Sequence, residues 1–252
     1  MSFQERKKDI LRIVDEFESL SVIEISQKLS ISPATVRRDL LTLSEEGLLV
    51  RTHGGAMKVD DQRFISFNAK QTANDSTKQA IGKLAATFVK DDDIIFLDCG
   101  STVFTMCPHL KKINNLKVIT NSLPVVAELM EAPGISINLI GGELDKGRKA
   151  IHGDAAIQHI DNYHAVKAFI GIDGISVENG LSSHSEKEAS ITKAFCCNAD
   201  RAYLLCDSSK IGKDAYIKTG PLSIINYIVT DLFLNSDLRN KISKKGIIVI
   251  NE

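Results

Sequence analysis

Residues 32–40 read Ser32-Pro33-Ala34-Thr35-Val36-Arg37-Arg38-Asp39-Leu40, and this stretch decides the fold of the N-terminal region. A serine hydroxyl caps a helix by accepting a bond from a first-turn amide. Proline at the first helical position gives up no hydrogen bond, because that N–H has no partner within the helix. Ser32 and Pro33 therefore open a helix whose apolar face is Val36, Leu40 and Leu43. The same short helix carries two adjacent arginines, Arg37 and Arg38, an arrangement suited to a polyanion.

Upstream, Ile10, Leu11, Ile13, Val14 and Phe17 are spaced for one face of a helix over 4–17. Ser21-Val22-Ile23-Glu24 is a capping box that opens a second helix, with Ile25 and Leu29 buried and Ser30-Ile31 as its exit turn. Downstream, Gly47 ends the third helix, 48–52 form a short strand, and His53-Gly54-Gly55-Ala56 turn it back. Three helices and a small hairpin make a winged helix-turn-helix over 1–57. In such a domain the second helix of the motif enters the major groove, where side chains near its N-terminus read base edges. Ser32, Thr35, Arg37 and Arg38 occupy that position, and Arg51 and His53 on the hairpin are placed to follow the backbone or an adjacent minor groove. Asp39 would repel phosphate, so its expected role is to orient Arg38 or a nearby amide.

The charge balance limits how such a domain could work. The chain has 31 Lys and Arg against 32 Asp and Glu, a formal net charge of −1. Residues 1–58 hold nine of each sign. No global basic field draws in a nucleic acid, so the local cluster must supply the attraction. Hydrophobic content of 43% and charged content of 25% are those of a soluble globular protein. No apolar run reaches the roughly 20 residues of a membrane helix, and the N-terminus lacks a signal-peptide core. A cytoplasmic protein without membrane contact is the expectation. The five cysteines are odd in number and include no C-x-x-C pair, which argues against a disulfide scaffold or a zinc ribbon. Buried free thiols are expected, with no metal site and no cofactor.

Residues 58–76 are polar and read as a linker, leaving 77–252 as a second domain. Short apolar runs recur there at 94–97, 118–120, 137–140, 168–172, 203–206, 227–230 and 247–250, with helical stretches between most of them. That pattern indicates an α/β domain with a buried, mostly parallel sheet. Polar or glycine-rich segments follow successive strands: Asp98-Cys99-Gly100-Ser101-Thr102, Thr120-Asn121-Ser122, Gly141-Gly142-Glu143, Gly171-Ile172-Asp173-Gly174 and Asp207-Ser208-Ser209-Lys210. Open α/β sheets bind ligands at this edge. Asp98, Gly100, Ser101, Thr102, Asn121, Gly141, Gly142 and Lys210 are therefore candidate ligand contacts, with Lys210 supplying charge for a phosphate. His152 is a secondary candidate within 141–153. Pro108 falls inside the helix expected after Thr102 and should kink or shorten it.

Arg6, Ile10, Val14, Ser32, Thr35, Val36, Arg37, Arg38, Asp39 and Leu40, at these spacings, resemble the N-terminal signature of DeoR-family transcriptional regulators. Residues 51–56 resemble that family's wing, 207–212 match its Asp-x-Ser-Lys-x-Gly pattern, and the likeness covers nearly the whole chain. The resemblance implies a DNA-binding regulator, most often a repressor of carbohydrate or related catabolic genes. The implied partners are a double-stranded operator, a phosphorylated sugar or sugar-like effector, and further copies of the chain in a homo-oligomer. It also implies an effector domain similar in fold to ribose-5-phosphate isomerases, glucosamine-6-phosphate deaminases and CoA transferases. Glu188 matches a glutamate of the family, with Glu186 as a competitor and 182–185 as a candidate wall.

The main alternative is a sugar-phosphate isomerase or deaminase-like enzyme with an accessory DNA-binding domain, in which Lys210, Glu188, Asp98 and Asp207 transfer protons. No complete acid/base set assembles from these residues, so no catalytic residue is assigned and no enzyme is expected. A constitutive architectural DNA binder would need no strand-end polar cluster.

Overall fold

The computed structural model describes residues 3–17, 19–45, 48–51, 55–57, 67, 70, 75–231 and 236–251. The chain divides into two compact units, Met1–Ala73 and Asn74–Glu252.

In the first unit, α1 (Phe3–Phe17), α2 (Val22–Leu29) and α3 (Pro33–Glu45) pack around buried Ile10, Val14, Ile25, Val36, Leu40 and Leu43. Leu29 is only partly buried against that core. Ser21 caps α2 in a reciprocal box with Glu24, each side chain bonding the other's amide. The α2–α3 turn is made by Ser30 in the left-handed region (φ 53°), with the Ile31 amide donating to the Ser26 carbonyl at 3.1 Å. Ser32 caps α3 by accepting the Thr35 amide at 3.2 Å.

Three strands complete the unit: β1 (Ser19–Ser21), β2 (Val50–Arg51) and β3 (Gly55–Met57), in the antiparallel order β1-β3-β2. The wing therefore has a strand before α2 that the sequence pattern does not announce, and Gly55 and Ala56 belong to a strand instead of a turn. Gly55 is needed at this crossing, since a Cβ there would lie 2.0 Å from the Leu20 carbonyl oxygen. Gly47 and His53 lie outside the described residues, as does most of the expected linker.

In the second unit, seven described strands form one parallel sheet: β4 (Ile94–Leu97), β5 (Leu116–Thr120), β6 (Ile135–Leu139), β9 (Lys167–Ile170), β12 (Ala202–Leu205), β14 (Tyr227–Thr230) and β15 (Ile248–Asn251). Their order is β15-β14-β12-β9-β4-β5-β6, so chain order reverses around β4 and β9 at the centre. All seven coincide with apolar runs in the sequence. The central strands read as nearly continuous apolar runs because both faces of the sheet are covered there, whereas β6 and β15 at its ends are partly exposed. Successive side chains point to opposite faces. Ile95, Leu97, Phe169, Tyr203 and Leu205 join one core, with α4 (Asp75–Ala86), α5 (Ser101–Phe104), α6 (Cys107–Leu110) and α7 (Leu123–Leu129) packed over them. Phe96, Ala168, Ile170 and Leu204 join the other, under α8 (Asp154–Ile160) and α9 (Glu186–Cys197). Phe96 stacks on Phe195 of α9 with centroids 4.7 Å apart.

The expected helix after Thr102 is broken in two. Pro108 sits in the first turn of α6, where its missing N–H costs no helical bond, and α5 is left as a single turn. Two small antiparallel elements lie outside the main sheet. One is the hairpin β7 (Glu143–Asp145) and β8 (Ala150–His152). The other is formed by β10 (Gly174–Ser176), β11 (Gly180–Ser183) and β13 (Ile217–Gly220), in that order. The last described helix, α10 (Ser236–Ser243), precedes β15.

Candidate functional site

Each unit presents one candidate site. On α3, the side chains of Val36, Asp39, Leu40 and Leu43 are buried, while Arg37 and Arg38 are exposed. Among the described residues no carboxylate pairs with either arginine. Thr35 is half-buried, with its hydroxyl 2.9 Å from that of Ser32. Arg51 lies in β2 opposite Ala56 of β3.

The expectation for Asp39 needs correction. It does not orient Arg38. Its carboxylate is buried and takes two hydrogen bonds from Arg6 of α1, Nε to Oδ2 at 2.6 Å and Nη2 to Oδ1 at 3.1 Å. Two parallel bonds from a planar guanidinium fix relative orientation as well as distance. The acidic residue beside the arginine pair thus ties α3 to α1 and is withdrawn from the surface that exposes Arg37 and Arg38.

In the second unit, all the strand-end loops named from the sequence come to the carboxyl edge of one parallel sheet. Asp98 is buried, and its carboxylate is fully engaged. Oδ1 accepts the Cys99 amide at 2.7 Å, and Oδ2 accepts the Gly171 amide at 3.1 Å and the Thr192 hydroxyl at 3.3 Å. Burial pushes its pKa up, partly countered by the Gly171 and Cys99 amides. Asp98 is thus a brace that joins the ends of β4 and β9 to α9. Gly100 allows these two loops to meet, since a Cβ there would lie 3.3 Å from Gly171 Cα. Ser101 and Thr102 are buried, and neither hydroxyl has a hydrogen-bond partner among the described residues.

Asn121 stitches the end of β5 to β8. Its Nδ2 donates to the Ile151 carbonyl at 3.0 Å and its own carbonyl accepts the Ile151 amide at 2.8 Å. Its Oδ1 is buried without a partner among the described residues. Gly141 and Gly142 are exposed, and the Gly141 amide is occupied by His159 Nδ1 at 3.0 Å. Gly142 has φ 148°, and a Cβ there would lie 2.6 Å from the His152 carbonyl oxygen. These two glycines shape the entry to the β7–β8 hairpin. Lys210 is half-buried at the end of the 3-10 turn Ser208–Lys210, whose start is capped by the buried Asp207 carboxylate.

The structure separates the two competing glutamates. Glu186 is exposed, whereas Glu188 is largely buried and forms an ion pair with Arg148, their side chains 13% and 15% accessible. Ser185-Glu186-Lys187-Glu188 has the form of a capping box, and Ser185 does accept the Glu188 amide at 3.4 Å. The glutamate does not reach back to the Ser185 amide, which donates to Ser183 Oγ at 3.3 Å. It is turned inward to Arg148 instead. Asp173 holds the 182–185 segment by accepting the Ser183 hydroxyl and the His184 amide.

Arg148 was not among the sequence candidates. Asp145-Lys146-Gly147 carries the turn signal for its hairpin, but the flanking three-residue strands are too short for a pattern to show. With it come His152, now fully buried, and Cys99. Cys99 Sγ, a ring nitrogen of His152 and a Glu188 oxygen lie within 4.8 Å of one another. Burial keeps the imidazole pKa below its ordinary value and raises that of the Cys99 thiol.

A family model described as the DeoR-like helix-turn-helix domain matches residues 6–62. A second, described as the DeoR C terminal sensor domain, matches residues 73–232. The chain belongs to the DeoR family. It is similar to the HTH-type transcriptional repressor GlcR of Bacillus subtilis (strain 168), 31% identical over 97% of this chain and 94% of that protein. It is also similar to the Glycerol-3-phosphate regulon repressor of Escherichia coli (strain K12), 29% identical over 92% of each chain. Among solved structures, a ribose 5-phosphate isomerase A from Methanocaldococcus jannaschii shows a partial likeness, with a TM-score of 0.41 at 21% identity over 55% of each chain. As a DeoR-family member the chain is a transcriptional regulator with an N-terminal DNA-binding domain and a C-terminal sensor domain. No described helix is long and apolar enough to cross a membrane.

Proposed function

We propose that this DeoR-family chain is a cytoplasmic repressor of carbohydrate-catabolism genes, acting as a homo-oligomer that a phosphorylated sugar or sugar-like effector releases from its operator. The observation that carries the reading is the pairing of two sites of complementary use. One unit exposes Arg37 and Arg38 without carboxylate partners among the described residues. The other gathers the hydroxyls of buried Ser101 and Thr102 and the buried Asn121 Oδ1, without hydrogen-bond partners among the described residues, at a single sheet edge. Ser32, Thr35, Arg37 and Arg38 would enter the major groove, with Arg51 and His53 on the wing. Ser101 and Thr102, the amides of 100–102, Asn121 and Lys210 would hold the effector, with Asp98, Gly141, Gly142 and Glu188 shaping the site around it.

This division also weighs against the enzyme alternative. A general base needs a carboxylate within reach of substrate and free to take its proton. Asp98 is saturated by three donors and Glu188 is held by Arg148. The relatives named as repressors, one of a glycerol-3-phosphate regulon, support a phosphate ester as effector class.

The test is titration of a labelled DNA fragment, taken from upstream of this gene and its neighbours, with the full chain. The titration is run with and without a panel of sugar phosphates. One of them should weaken DNA binding, its unphosphorylated sugar should not, and DNA should weaken effector binding by the same factor. The reading fails if every sugar phosphate that binds leaves DNA affinity unchanged, or if one is turned over.

A further inference from the structure

Cys99, His152 and Glu188 come from three separate elements: the loop after β4, the end of β8 and the first turn of α9. Their ligand-capable atoms lie within 4.8 Å of one another. We propose that they hold a divalent transition-metal ion of the zinc class at the carboxyl edge of the sheet. It shares Glu188 and Asn121 with the proposed effector site, but its test reads metal binding by the chain alone, so its failure is distinguishable from a failure of the effector reading.

The decisive observation is His152. The residue is 1% accessible, yet neither Nδ1 nor Nε2 has a hydrogen-bond partner among the described residues. A buried imidazole always carries at least one polar nitrogen that must be satisfied, and such orphans are rare in native interiors. The neighbouring buried carboxylates are satisfied by protein donors. Asp98 has three donors, and Asp173 accepts from Ser183 and His184. The imidazole therefore needs a partner that no described residue provides. A second buried atom nearby has the same deficit. Asn121 Oδ1 has no partner among the described residues, while Nδ2 of that amide donates to the Ile151 carbonyl.

The donor set identifies the class of ion. Thiolate, imidazole and carboxylate are all zinc ligands, and three protein ligands leave one position open in a tetrahedral site. A thiolate disfavours magnesium and calcium, which take oxygen donors. The charge also suits a dication. Glu188 itself, with Asp98 acting on Cys99 and Asp145 on His152, sets negative charge against Arg148 and Lys187, and Lys187 is engaged with Glu143 at 2.7 Å. Arg148 bonds one Glu188 oxygen and so orients the carboxylate, the role that outer partners play at metal sites. On binding, the Cys99 thiol gives up its proton to solvent and its sulfur coordinates the ion.

The experiment is titration of the full-length chain, stripped with a chelator, with Co²⁺ as the spectroscopic probe. Visible bands of four-coordinate Co²⁺ and a thiolate charge-transfer band should saturate at one equivalent per chain, and added Zn²⁺ should bleach both. The charge-transfer band should be lost in Cys99→Ser and kept in Cys197→Ser, since Cys197 is the exposed cysteine. No charge-transfer band in the wild-type chain, or one that survives Cys99→Ser, overturns the proposal. Should Cys99→Ser not fold, X-ray absorption of the wild-type zinc form decides the matter. One sulfur at about 2.3 Å with an imidazole outer shell supports the site, and a shell of oxygen and nitrogen alone refutes it.

Discussion

Replacing Arg148 by Met keeps the aliphatic stem and removes the charge that faces Glu188. The pair is largely buried, with side-chain exposures of 15% and 13%, and it ties the β7–β8 hairpin to α9. An exposed pair contributes at most about 1 kcal/mol. Removing one partner of a fully buried pair costs about 3–5 kcal/mol, because the other charge is left unpaired out of water. The observed exposure lies close to the buried limit, and some solvent screening remains, so about 2–3 kcal/mol is expected. For a unit of this size each kcal/mol lowers the midpoint by about 2–4 °C, giving a fall of about 4–12 °C. The assay is thermal unfolding of the full chain by circular dichroism in the presence of chelator, so that metal binding does not contribute. Arg148→Met with Glu188→Gln should be more stable than Arg148→Met alone, since no unpaired carboxylate remains. A loss below about 1 kcal/mol, or a double variant no better than the single one, would refute the buried-pair argument.

Arg37→Ala should weaken operator binding and reduce the slope of log affinity against log salt by about 1, with effector affinity unchanged; an unaltered slope would mean that Arg37 does not contact DNA. Gly142→Ala places a Cβ 2.6 Å from the His152 carbonyl oxygen at φ 148° and should cost about 1–3 kcal/mol in urea unfolding, whereas a neutral result would show that the hairpin shifts freely. Thiol labelling near pH 8 should modify Cys197 quickly, while Cys107 and Cys206, buried with thiols pushed up to about 12, should react only after denaturation. Rapid modification of all five cysteines of the native chain would contradict the packing described. Lys210→Ala should keep operator binding and lose the response to a sugar phosphate, measured as the shift in DNA affinity with effector.

What the sequence determined by itself was whatever depends on neighbours along the chain. Ser32 and Pro33 start α3, Ser21 and Glu24 start α2, and Pro108 divides a helix, because caps and prolines act within one turn. The central strands of the main sheet were legible because a strand covered on both faces is apolar at nearly every position, and β6 and β15 at its ends kept enough apolar residues to show. The strand-end loops followed from the strands, so the sequence already placed Asp98, Ser101, Thr102, Asn121 and Lys210 at the carboxyl edge of the sheet. The short strands β1, β7 and β8 went unseen. Glu143–Asp145 is exposed throughout and three residues long, so neither burial nor periodicity marks it. Tertiary structure alone decided the partners. Asp39 turns to Arg6, 33 residues away, and not to its neighbour Arg38. Glu188 forgoes a local cap for Arg148, and Cys99, His152 and Glu188 converge only when the β7–β8 hairpin folds onto the sheet edge. Local rules determine where a helix or strand begins. Which charged or coordinating side chains meet depends on strand order and long-range packing, which no stretch of sequence contains.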